Sequence, residues 1–345
     1  MILDTGAEQN ALNASLCDEL KVKHKVEINL SAAGTGEDKT AVYFTKTIPL
    51  DLVGIPLRTN IFVPLKKLEA GIGHTIDGIL GSEIFLRCVV EIDYQTQTIK
   101  LHPASTYTAS PQTEIIPISL VGRRPFIRAK IKFPGAEAVE GKFIIDTGDG
   151  SGLSLHLPFV QKYSLLAYVT NGIPHFTSGI AGEAREFLGR AESFQLGEAV
   201  IERPVVAFSH AEKGSTADKS YDGAIGGEIL RRFKVTLDYS RPQLILERNT
   251  SFAAPFEVDM SGLDLVAQGH DFDTLQVQHV YEDTPASEAG LRAGDILLEI
   301  DGATTGELGL EQVKQLFKTH GLEYTLSLQR DGRPLQLKLN TRRLV

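Results

Sequence analysis

Two short segments of the sequence place a carboxylate and small residues directly behind an apolar run. The chain begins Met-Ile-Leu-Asp-Thr-Gly, and the same Asp-Thr-Gly triplet returns at residue 146, behind Phe-Ile-Ile. Two carboxylates held about 3 Å apart cannot both ionise, so such a pair shares one proton. One member can then take a proton from water while the other donates one, which is acid–base chemistry suited to hydrolysis. Asp4 and Asp146 are therefore the first candidates for a reactive pair.

The two triplets belong to a longer internal repeat. They are 142 residues apart (146 − 4), and segments 76–103 and 221–248 align at an offset of 145 (222 − 77). Because several motifs share nearly one offset, the sequence predicts two homologous halves. In each half we expect an apolar strand, a short helix, a glycine-rich hairpin and a closing hairpin. Four aspartates that recur in the repeat are interpreted as structural turn residues: Asp77, Asp93, Asp222 and Asp238.

The two halves differ in what precedes the triplet. Residues 115–145 read as two strands joined by turns, whereas only three residues precede Asp4. Comparison of the halves predicts that about thirty residues are missing from the first. A truncated chain, a start placed too late and a shorter first half are the three open explanations.

The paired triplets, each with a later apolar-apolar-Gly turn, resemble the aspartic peptidases. The compact halves are closer to the retroviral type than to pepsin. The resemblance implies a mostly β protein with a bilobal pepsin- or retropepsin-like double-ψ fold, followed by a further domain. The first lobe is expected at 1–110, with its start truncated, and the second at 111–250.

The resemblance also implies roles for individual residues. Asp4 and Asp146 would form the catalytic pair. Gly81 and Gly226 would permit a tight backbone crossing behind each aspartate, and glycine-rich hairpins near 34–36 and 179–182 would be flaps over the cleft. Threonines hydrogen-bonded beneath the pair, and glycines that let amides approach the carboxylates, would support it: Thr5, Gly6, Thr147 and Gly148.

One residue departs from the family pattern. The triplet is usually followed by Ala, Ser or Thr, which Ala7 fits and Asp149 does not. Asp149 is either an acid that points into solvent or a third acid beside the pair. In the second case it would raise the proton affinity of the pair.

A third region begins near Phe256. Its segment Thr284–Gly302 carries the run Pro-Ala-x-x-Ala-Gly-Leu-x-x-Gly-Asp and resembles the PDZ domains of bacterial proteins, which implies a domain at 256–345. The resemblance implies a groove between a strand at about 262–267 and a helix at about 310–320, where a peptide adds a strand. A domain that packs against the lobes and binds nothing is the alternative. The loop expected to receive a peptide carboxylate comprises Gly262, Leu263, Asp264 and Leu265.

Composition excludes several classes of function. A formal net charge of −9 argues against general affinity for nucleic acid or anionic membranes. No apolar run approaches a membrane span, and no metal, phosphate or nucleophile-elbow motif occurs, so no cofactor is expected. Cys17 and Cys88 are too few for a disulfide framework; one bridge is possible, and two buried thiols without a disulfide are preferred.

The sequence thus predicts an aspartic endopeptidase that acts on an extended peptide or unfolded protein. A PDZ domain would recruit the substrate or a partner peptide, or limit access to the cleft. Relatives with this layout are usually exported, so the resemblance favours the periplasm or cell envelope. The alternatives are a non-catalytic peptide-binding scaffold and a precursor that cleaves only itself.

Overall fold

The computed structural model describes residues 1–23, 26–30 and 39–345, and the chain is mostly β. The predicted flap near 34–36 lies outside the described residues. In the first lobe, three helices accompany the strands: α1 Leu16–Glu19, α2 Lys66–Ile72 and α3 Ser82–Arg87. The strands of this lobe are β1 Ile2–Leu3, β2 Ala11–Asn13, β3 Val26–Leu30, β4 Thr40–Leu52, β5 Ile55–Val63, β6 Gly78–Leu80, β7 Val89–Asp93 and β8 Thr98–His102.

The second lobe carries helices α4 (Leu157–Lys162) and α5 (Gly227–Leu230) and 3₁₀ turns at Leu165–Tyr168 and Ser215–Ala217. Its strands are β9 Glu114–Pro117, β10 Ser119–Val121, β11 Arg124–Lys132, β12 Val139–Ile145, β13 Leu153–Leu155, β14 Ile173–Gly179, β15 Gly182–Arg190, β16 Ser193–Leu196, β17 Ala199–Glu202, β18 Val205–Ser209, β19 Gly223–Ile225, β20 Phe233–Asp238 and β21 Gln243–Arg248.

The stretch ahead of the second triplet holds four strands, β9 to β12, where the sequence predicted two. The error arose at two turns. Gly122 and Arg123 both have positive φ (58° and 68°), which makes a tight hairpin between β10 and β11. Strand β9 ends at Pro117 and pairs with β21 in a different sheet, so it is separate from β10.

Both lobes have the same strand order, which confirms the predicted internal repeat. In the first sheet the order is β1-β6-β2-β5-β4-β3, and the corresponding part of the second is β12-β19-β13-β18-β15-β14. In each lobe the strand before the triplet pairs in parallel with the strand before the turn glycine: β1 with β6 and β12 with β19. The two triplets are therefore at equivalent points of two similar sheets.

A third sheet joins the lobes behind the triplets. Its order is β8-β7-β20-β21-β9, so the closing hairpins of both halves lie side by side, with β7 antiparallel to β20. Phe85 and Tyr239 stack there with ring centroids 5.4 Å apart. One continuous apolar core runs through both lobes and this sheet, so burial of apolar surface holds the halves together.

The third region forms a separate six-stranded sheet with its own core. The predicted groove strand is found at 263–268. The groove helix begins at Thr305, earlier than predicted, because one helical turn precedes a break at Gly309 (φ 71°). Its elements are β22 Leu263–Gln268, β23 Thr274–Val280, α6 Pro285–Glu288, β24 Ile296–Ile300, β25 Ala303–Thr304, α7 Thr305–Leu316, β26 Glu323–Arg330 and β27 Arg333–Asn340.

Several smaller predictions concern turns, thiols and membranes. Asp93 Oδ1 accepts hydrogen bonds from the amides two and three residues on, as a turn residue does, and Asp238 does the same. No disulfide joins Cys17 and Cys88, as preferred, but only Cys17 is buried and Cys88 is partly exposed. Across the described part of the chain, no helix has the length and apolar character needed to cross a membrane.

Candidate active site

The two triplet aspartates lie at the ends of equivalent strands and meet between the lobes. The Asp4 amide donates to the Leu80 carbonyl at 2.9 Å, and the Asp146 amide donates to the Ile225 carbonyl at 2.9 Å. Each bond continues a parallel strand pairing by one residue, β1 with β6 in the first lobe and β12 with β19 in the second. Because each chain leaves its sheet at the same point, both carboxyl groups project towards the lobe interface.

The carboxyl groups of Asp4 and Asp146 hydrogen-bond to each other. Backbone amides support the outer side of each group. Asp4 Oδ1 accepts from the amides of Gly6 (2.7 Å) and Ala7 (3.0 Å), and Asp146 Oδ1 accepts from the amide of Gly148 (2.9 Å). The pair is therefore held in place by its own loops, with oxygens left towards the cleft.

The two threonines interlock beneath the pair. The Thr5 amide donates to Thr147 Oγ1 at 3.1 Å, and the Thr147 amide donates to Thr5 Oγ1 at 3.0 Å. Each hydroxyl then donates across to the other lobe, Thr5 to the Ile145 carbonyl (2.5 Å) and Thr147 to the Leu3 carbonyl (2.8 Å). Four hydrogen bonds thus tie the two triplets into one unit.

The triplet glycines stand against the opposite aspartate. A β-carbon at Gly6 would lie 2.5 Å from Asp146 Oδ2, and one at Gly148 would lie 2.5 Å from Asp4 Cγ. Real β-carbons do not approach other atoms so closely, so a larger residue at either position would push the carboxyl groups apart.

The turn glycines are also closely packed against backbone. A β-carbon at Gly81 would lie 2.5 Å from the Gln9 carbonyl oxygen, and one at Gly226 would lie 2.5 Å from the Ser151 carbonyl oxygen. The chain therefore crosses behind each triplet loop at a distance that only glycine permits.

Burial raises the pKa of both aspartates. For Asp146, burial is the largest cause, followed by the negative charges of Asp4 and Asp149, and its pKa lies well above the ordinary range. Burial also raises the pKa of Asp4, but the amides of Gly6 and Ala7 partly oppose the rise by stabilising its anion. The pair therefore keeps a proton at pH values where an isolated aspartate has lost it.

Asp149, the residue that departs from the family pattern, lies near the pair and does not point away into solvent. Its carboxylate accepts hydrogen bonds from the Ser151 amide (2.7 Å) and the Ser151 hydroxyl (2.8 Å). Its charge raises the pKa of both Asp4 and Asp146. Of the two alternatives left open by the sequence, the third acid beside the pair is the one observed.

One residue near the pair was missed in the sequence. The Tyr239 side chain is buried, and its hydroxyl has no hydrogen-bond partner within the described residues. Burial, followed by the charges of Asp4 and Asp146, raises its pKa. The sequence carried a signal for this tyrosine, because Asp238-Tyr239 matches Asp93-Tyr94 at the repeat offset of 145 residues, but the predicted turn role concerned only the aspartates.

The pair opens into a cleft of about 580 Å³. The hairpin of β14 and β15, predicted as the second flap, lines one side, and its tip reaches the other lobe, where Thr40 Oγ1 donates to the Ile180 carbonyl at 3.2 Å. Among the residues described, no group of three or more His, Cys, Asp or Glu side chains suits a metal ion.

The third region closes the other side of this cleft. The Phe176 ring of the flap stacks on His279 with centroids 4.2 Å apart, and the Phe176 amide donates to the Tyr281 hydroxyl at 2.9 Å. Lys314 on α7 donates to the Gly71 carbonyl of the first lobe at 2.7 Å. The groove between β22 and α7 therefore faces the cleft, and residues from both line one cavity.

The loop predicted to receive a peptide carboxylate already holds an internal one. Asp259 Oδ1 accepts from the amides of Ser261 (2.8 Å) and Gly262 (2.9 Å), and the Leu263 amide donates to Ser261 Oγ at 3.3 Å. The Asp264 side chain accepts from the Tyr281 hydroxyl. A peptide carboxylate at this loop would have to displace Asp259.

Comparison with known proteins identifies one domain. Residues 276–330 match the family model described as PDZ domain, so the third region is a PDZ domain, as its sequence predicted. No curated protein matches the chain.

Solved structures with likeness to the chain include two peptidase-related proteins. One is an aminopeptidase N family protein from Idiomarina loihiensis, at 24% identity and a TM-score of 0.23, which covers 29% of this chain and 16% of that one. The other is a photosystem II D1 C-terminal processing protease, at 24% identity and a TM-score of 0.24, which covers 33% of this chain and 29% of that one. The chain thus spans less than a third of either structure, and TM-scores this low support no inference about activity.

Proposed function

We propose that this protein is an aspartic endopeptidase in which Asp4 and Asp146 share one proton. The observation that carries the proposal is the mutual hydrogen bond of the two carboxyl groups, held by equivalent loops of two equivalent lobes. Carboxyl pairs in this arrangement are a known device for activating water at a carbonyl carbon. The interlocked threonines favour the same function, because they fix the separation of the two groups.

In the proposed reaction one carboxyl group of the pair is ionised and the other is protonated. The ionised carboxylate takes a proton from a water molecule as the water oxygen bonds to the scissile carbonyl carbon, and the protonated partner donates to the carbonyl oxygen. The tetrahedral intermediate collapses as the C–N bond breaks: the amine nitrogen takes the proton that the pair gained from water, and one hydroxyl of the intermediate returns its proton to the other carboxylate as it becomes the new carbonyl oxygen. The two pKa values belong to the pair as a unit, so we assign neither role to one aspartate.

The PDZ domain favours a peptide or unfolded protein as the substrate. Such domains bind an extended segment at the edge of their sheet, and β22 is an edge strand that faces the cleft. A segment bound there would lie next to the aspartate pair. The flap contacts of the PDZ domain would have to yield for the substrate to enter.

The test is cleavage of an unstructured protein such as casein by the full chain across pH 3 to 8. Asp4→Asn and Asp146→Asn are expected to lower the rate by about 10²- to 10⁴-fold, the usual contribution of acid–base catalysis. Asp331→Asn, at an exposed hairpin turn of the PDZ domain, is the matched control and should cleave normally. Equal cleavage by all four proteins would overturn the proposal.

A second candidate function is peptide binding without cleavage, which the PDZ match favours on its own. In that case the lobes are a scaffold. The same proteins distinguish the candidates, because a scaffold binds peptides with equal affinity before and after Asp146→Asn and releases no fragments from either. Intact-mass measurement over time identifies a chain that cleaves only itself.

A further inference from the structure

A pocket of about 220 Å³ opens from the cleft on the side of the second lobe. It shares Gly150, Ser151 and His175 with the cleft that holds the aspartate pair. Its floor is the face of the sheet formed by β14, β15 and β18, and apolar side chains such as Ile173 and Leu188 form its walls. A side chain from a peptide in the cleft could enter this pocket.

Glu186 on β15 lies in this apolar floor. Its side chain is 5% exposed, and no side chain or amide in the described part of the chain donates a hydrogen bond to its carboxyl group. His175 is directly opposite on β14, but burial lowers the pKa of His175 to about 4, so it brings no positive charge. A buried carboxyl group without a partner is costly, which makes its presence informative.

The other acids around the pocket have partners. Glu228 pairs with Arg231 at 2.7 Å and with Lys318, the one lysine or arginine among the described lining residues, at 3.8 Å. Glu257 pairs with Arg343 at 2.5 Å, and Asp259 accepts the amides described above. Burial raises the pKa of Glu186, and the charge of Asp149 raises it further, to about 8. Asp264, which also lines the pocket, accepts from the Tyr281 hydroxyl. Among the described lining acids, Glu186 is thus the one with neither a hydrogen-bond donor nor a cationic partner.

The fold does not require an acid at this position. The strand pairings show which positions of the two lobes correspond. In the first lobe Phe62 pairs with Leu12 and with Tyr43. In the second lobe Phe208 pairs with Leu155 and with Phe187 in the same way. Tyr43 on β4 therefore corresponds to Phe187 on β15, and the residues just before them, Val42 and Glu186, correspond as well. Val42 is buried and apolar. The same sheet position packs well without a carboxyl group, so Glu186 has a purpose other than folding.

We propose that this pocket receives a lysine or arginine side chain of the bound peptide and that Glu186 is its charge partner. The inference rests on the proposed function for the placement of the peptide. Lysine and arginine have an apolar stem and a cationic end, which match the apolar walls and the acid at the floor. A cation would allow the buried Glu186 to ionise, and an acidic side chain would meet repulsion from it and from Asp149.

The first experiment measures peptide binding to the full chain carrying Asp146→Asn, so that no peptide is cut. Fluorescent decapeptides differ at one position, which holds lysine, arginine, norleucine or glutamate. The lysine and arginine peptides should bind at least about 30-fold more tightly than the norleucine peptide, because a buried charge pair loses at least that much when one partner is removed. Equal affinities would overturn the proposal without any variant of Glu186.

Two variants then test whether Glu186 causes the preference for lysine and arginine peptides. In the Asp146→Asn background, Glu186→Gln and Glu186→Val should each remove that preference. Glu186→Val is expected to fold, because the equivalent position of the first lobe holds a valine. Glu192→Gln, which removes an acid that pairs with Lys132 at the surface, should keep the preference. A preference that survives both changes at Glu186 would overturn the assignment.

The outcomes separate this inference from the proposed function. A preference for lysine that depends on Glu186, together with no cleavage by the chain that retains Asp146, upholds the pocket and refutes the peptidase. Cleavage without preference refutes the pocket alone. If no decapeptide binds, n-butylammonium is titrated against n-butanol and followed by chemical shifts of the labelled chain. No difference between the two near Glu186 would overturn the proposal.

Discussion

Replacing Thr147 with valine removes one hydroxyl from the interlock and keeps the shape of the side chain. That hydroxyl accepts the Thr5 amide at 3.1 Å and donates to the Leu3 carbonyl at 2.8 Å. Both partners belong to the first lobe, and Thr5 is fully buried. In Thr147→Val these two backbone groups face methyl groups in place of oxygen.

The size of the effect follows from the groups left without partners. A buried polar group that loses its hydrogen bond costs about 1–3 kcal/mol. Two such groups give a total of about 2–6 kcal/mol, and the partial exposure of Thr147 favours the lower end. Thr147→Ser keeps both hydrogen bonds and loses one methyl group, so it should cost about 1 kcal/mol or less.

The assay has to report on the lobe interface, because three packed units do not unfold in one step. Hydrogen exchange of peptides covering 1–10 and 140–150 reads local opening there. A loss of about 2 kcal/mol speeds exchange by about 30-fold, since 1.4 kcal/mol is tenfold. Peptides from β26 and β27 in the PDZ domain serve as the internal reference and should not change.

The refuting result is equally specific. If Thr147→Val exchanges at residues 1–10 within threefold of Thr147→Ser, the hydroxyl does not hold the lobes together. Thr5→Val should have at least as large an effect, because Thr5 donates to the Ile145 carbonyl and accepts the Thr147 amide. The double valine variant should cost less than the sum of the two, since both changes break the same network.

Three further predictions concern single carboxyl groups. Glu186 has an ordinary pKa of 4.5 and a folded pKa of about 8, so the folded state keeps a proton that the unfolded state loses. Its contribution to the free energy of unfolding therefore falls by about 5 kcal/mol as pH rises from 4.5 to 8, and Glu186→Gln should remove this slope from the protection of β14, β15 and β18 against hydrogen exchange. Asp149→Asn should lower the pKa values of the aspartate pair and move the acidic limb of the kcat/KM profile to lower pH, because one negative charge is gone. Asp259→Ala should free the amides of Ser261 and Gly262 and favour peptides with a free carboxyl end over amidated ones in calorimetry.

Each of these predictions has a result that contradicts it. An unchanged slope in Glu186→Gln means that the carboxyl group ionises normally in the folded chain. An acidic limb that stays in place in Asp149→Asn means that this charge does not reach the pair. In Asp259→Ala, equal binding of free and amidated peptides means that the loop is not a carboxylate site. Asp331→Asn is the common control, since that acid is exposed and distant from the pair.

The sequence predicted the parts of the structure that depend on repetition. A repeat offset of 142 to 145 residues in the sequence corresponds to equal strand order in the two lobes. The hydrogen bonds between Thr5 and Thr147, implied by resemblance, are present. Both follow from local motifs that a fold of this kind brings together in one way, so one sequence was sufficient to anticipate them.

What the sequence could not predict depends on contacts between distant elements. Glu186 lies in Glu-Ala-Arg-Glu-Phe, a polar stretch in which no pattern marks one acid as buried. Its burial arises because Val205–Ser209 pairs beside it and the PDZ domain covers the pocket. The amides at Gly262 were also expected to be available, but Asp259, three residues earlier, accepts them. That contact is local and had a signal, since Asp93 and Asp238 accept the amides two and three residues on in the same way. Only the burial of Glu186 has no local signal.

The lobes are alike where the chemistry is proposed and unlike where a peptide would be selected. At the pair, the triplet supports correspond: the Gly6 amide with the Gly148 amide, threonine with threonine, glycine with glycine. The Ala7 amide, which also donates to Asp4, is the one support for which no equivalent bond to Asp146 is found among the described residues. Away from the pair the symmetry ends, since Ala7 is matched by Asp149 and Val42 by Glu186. Water activation needs two equal carboxyl groups, but a peptide has a direction and different side chains on each side of its bond. A repeat that diverged only at such positions would keep the reaction and gain a preference, so these two acids are where changes should alter selectivity without abolishing cleavage.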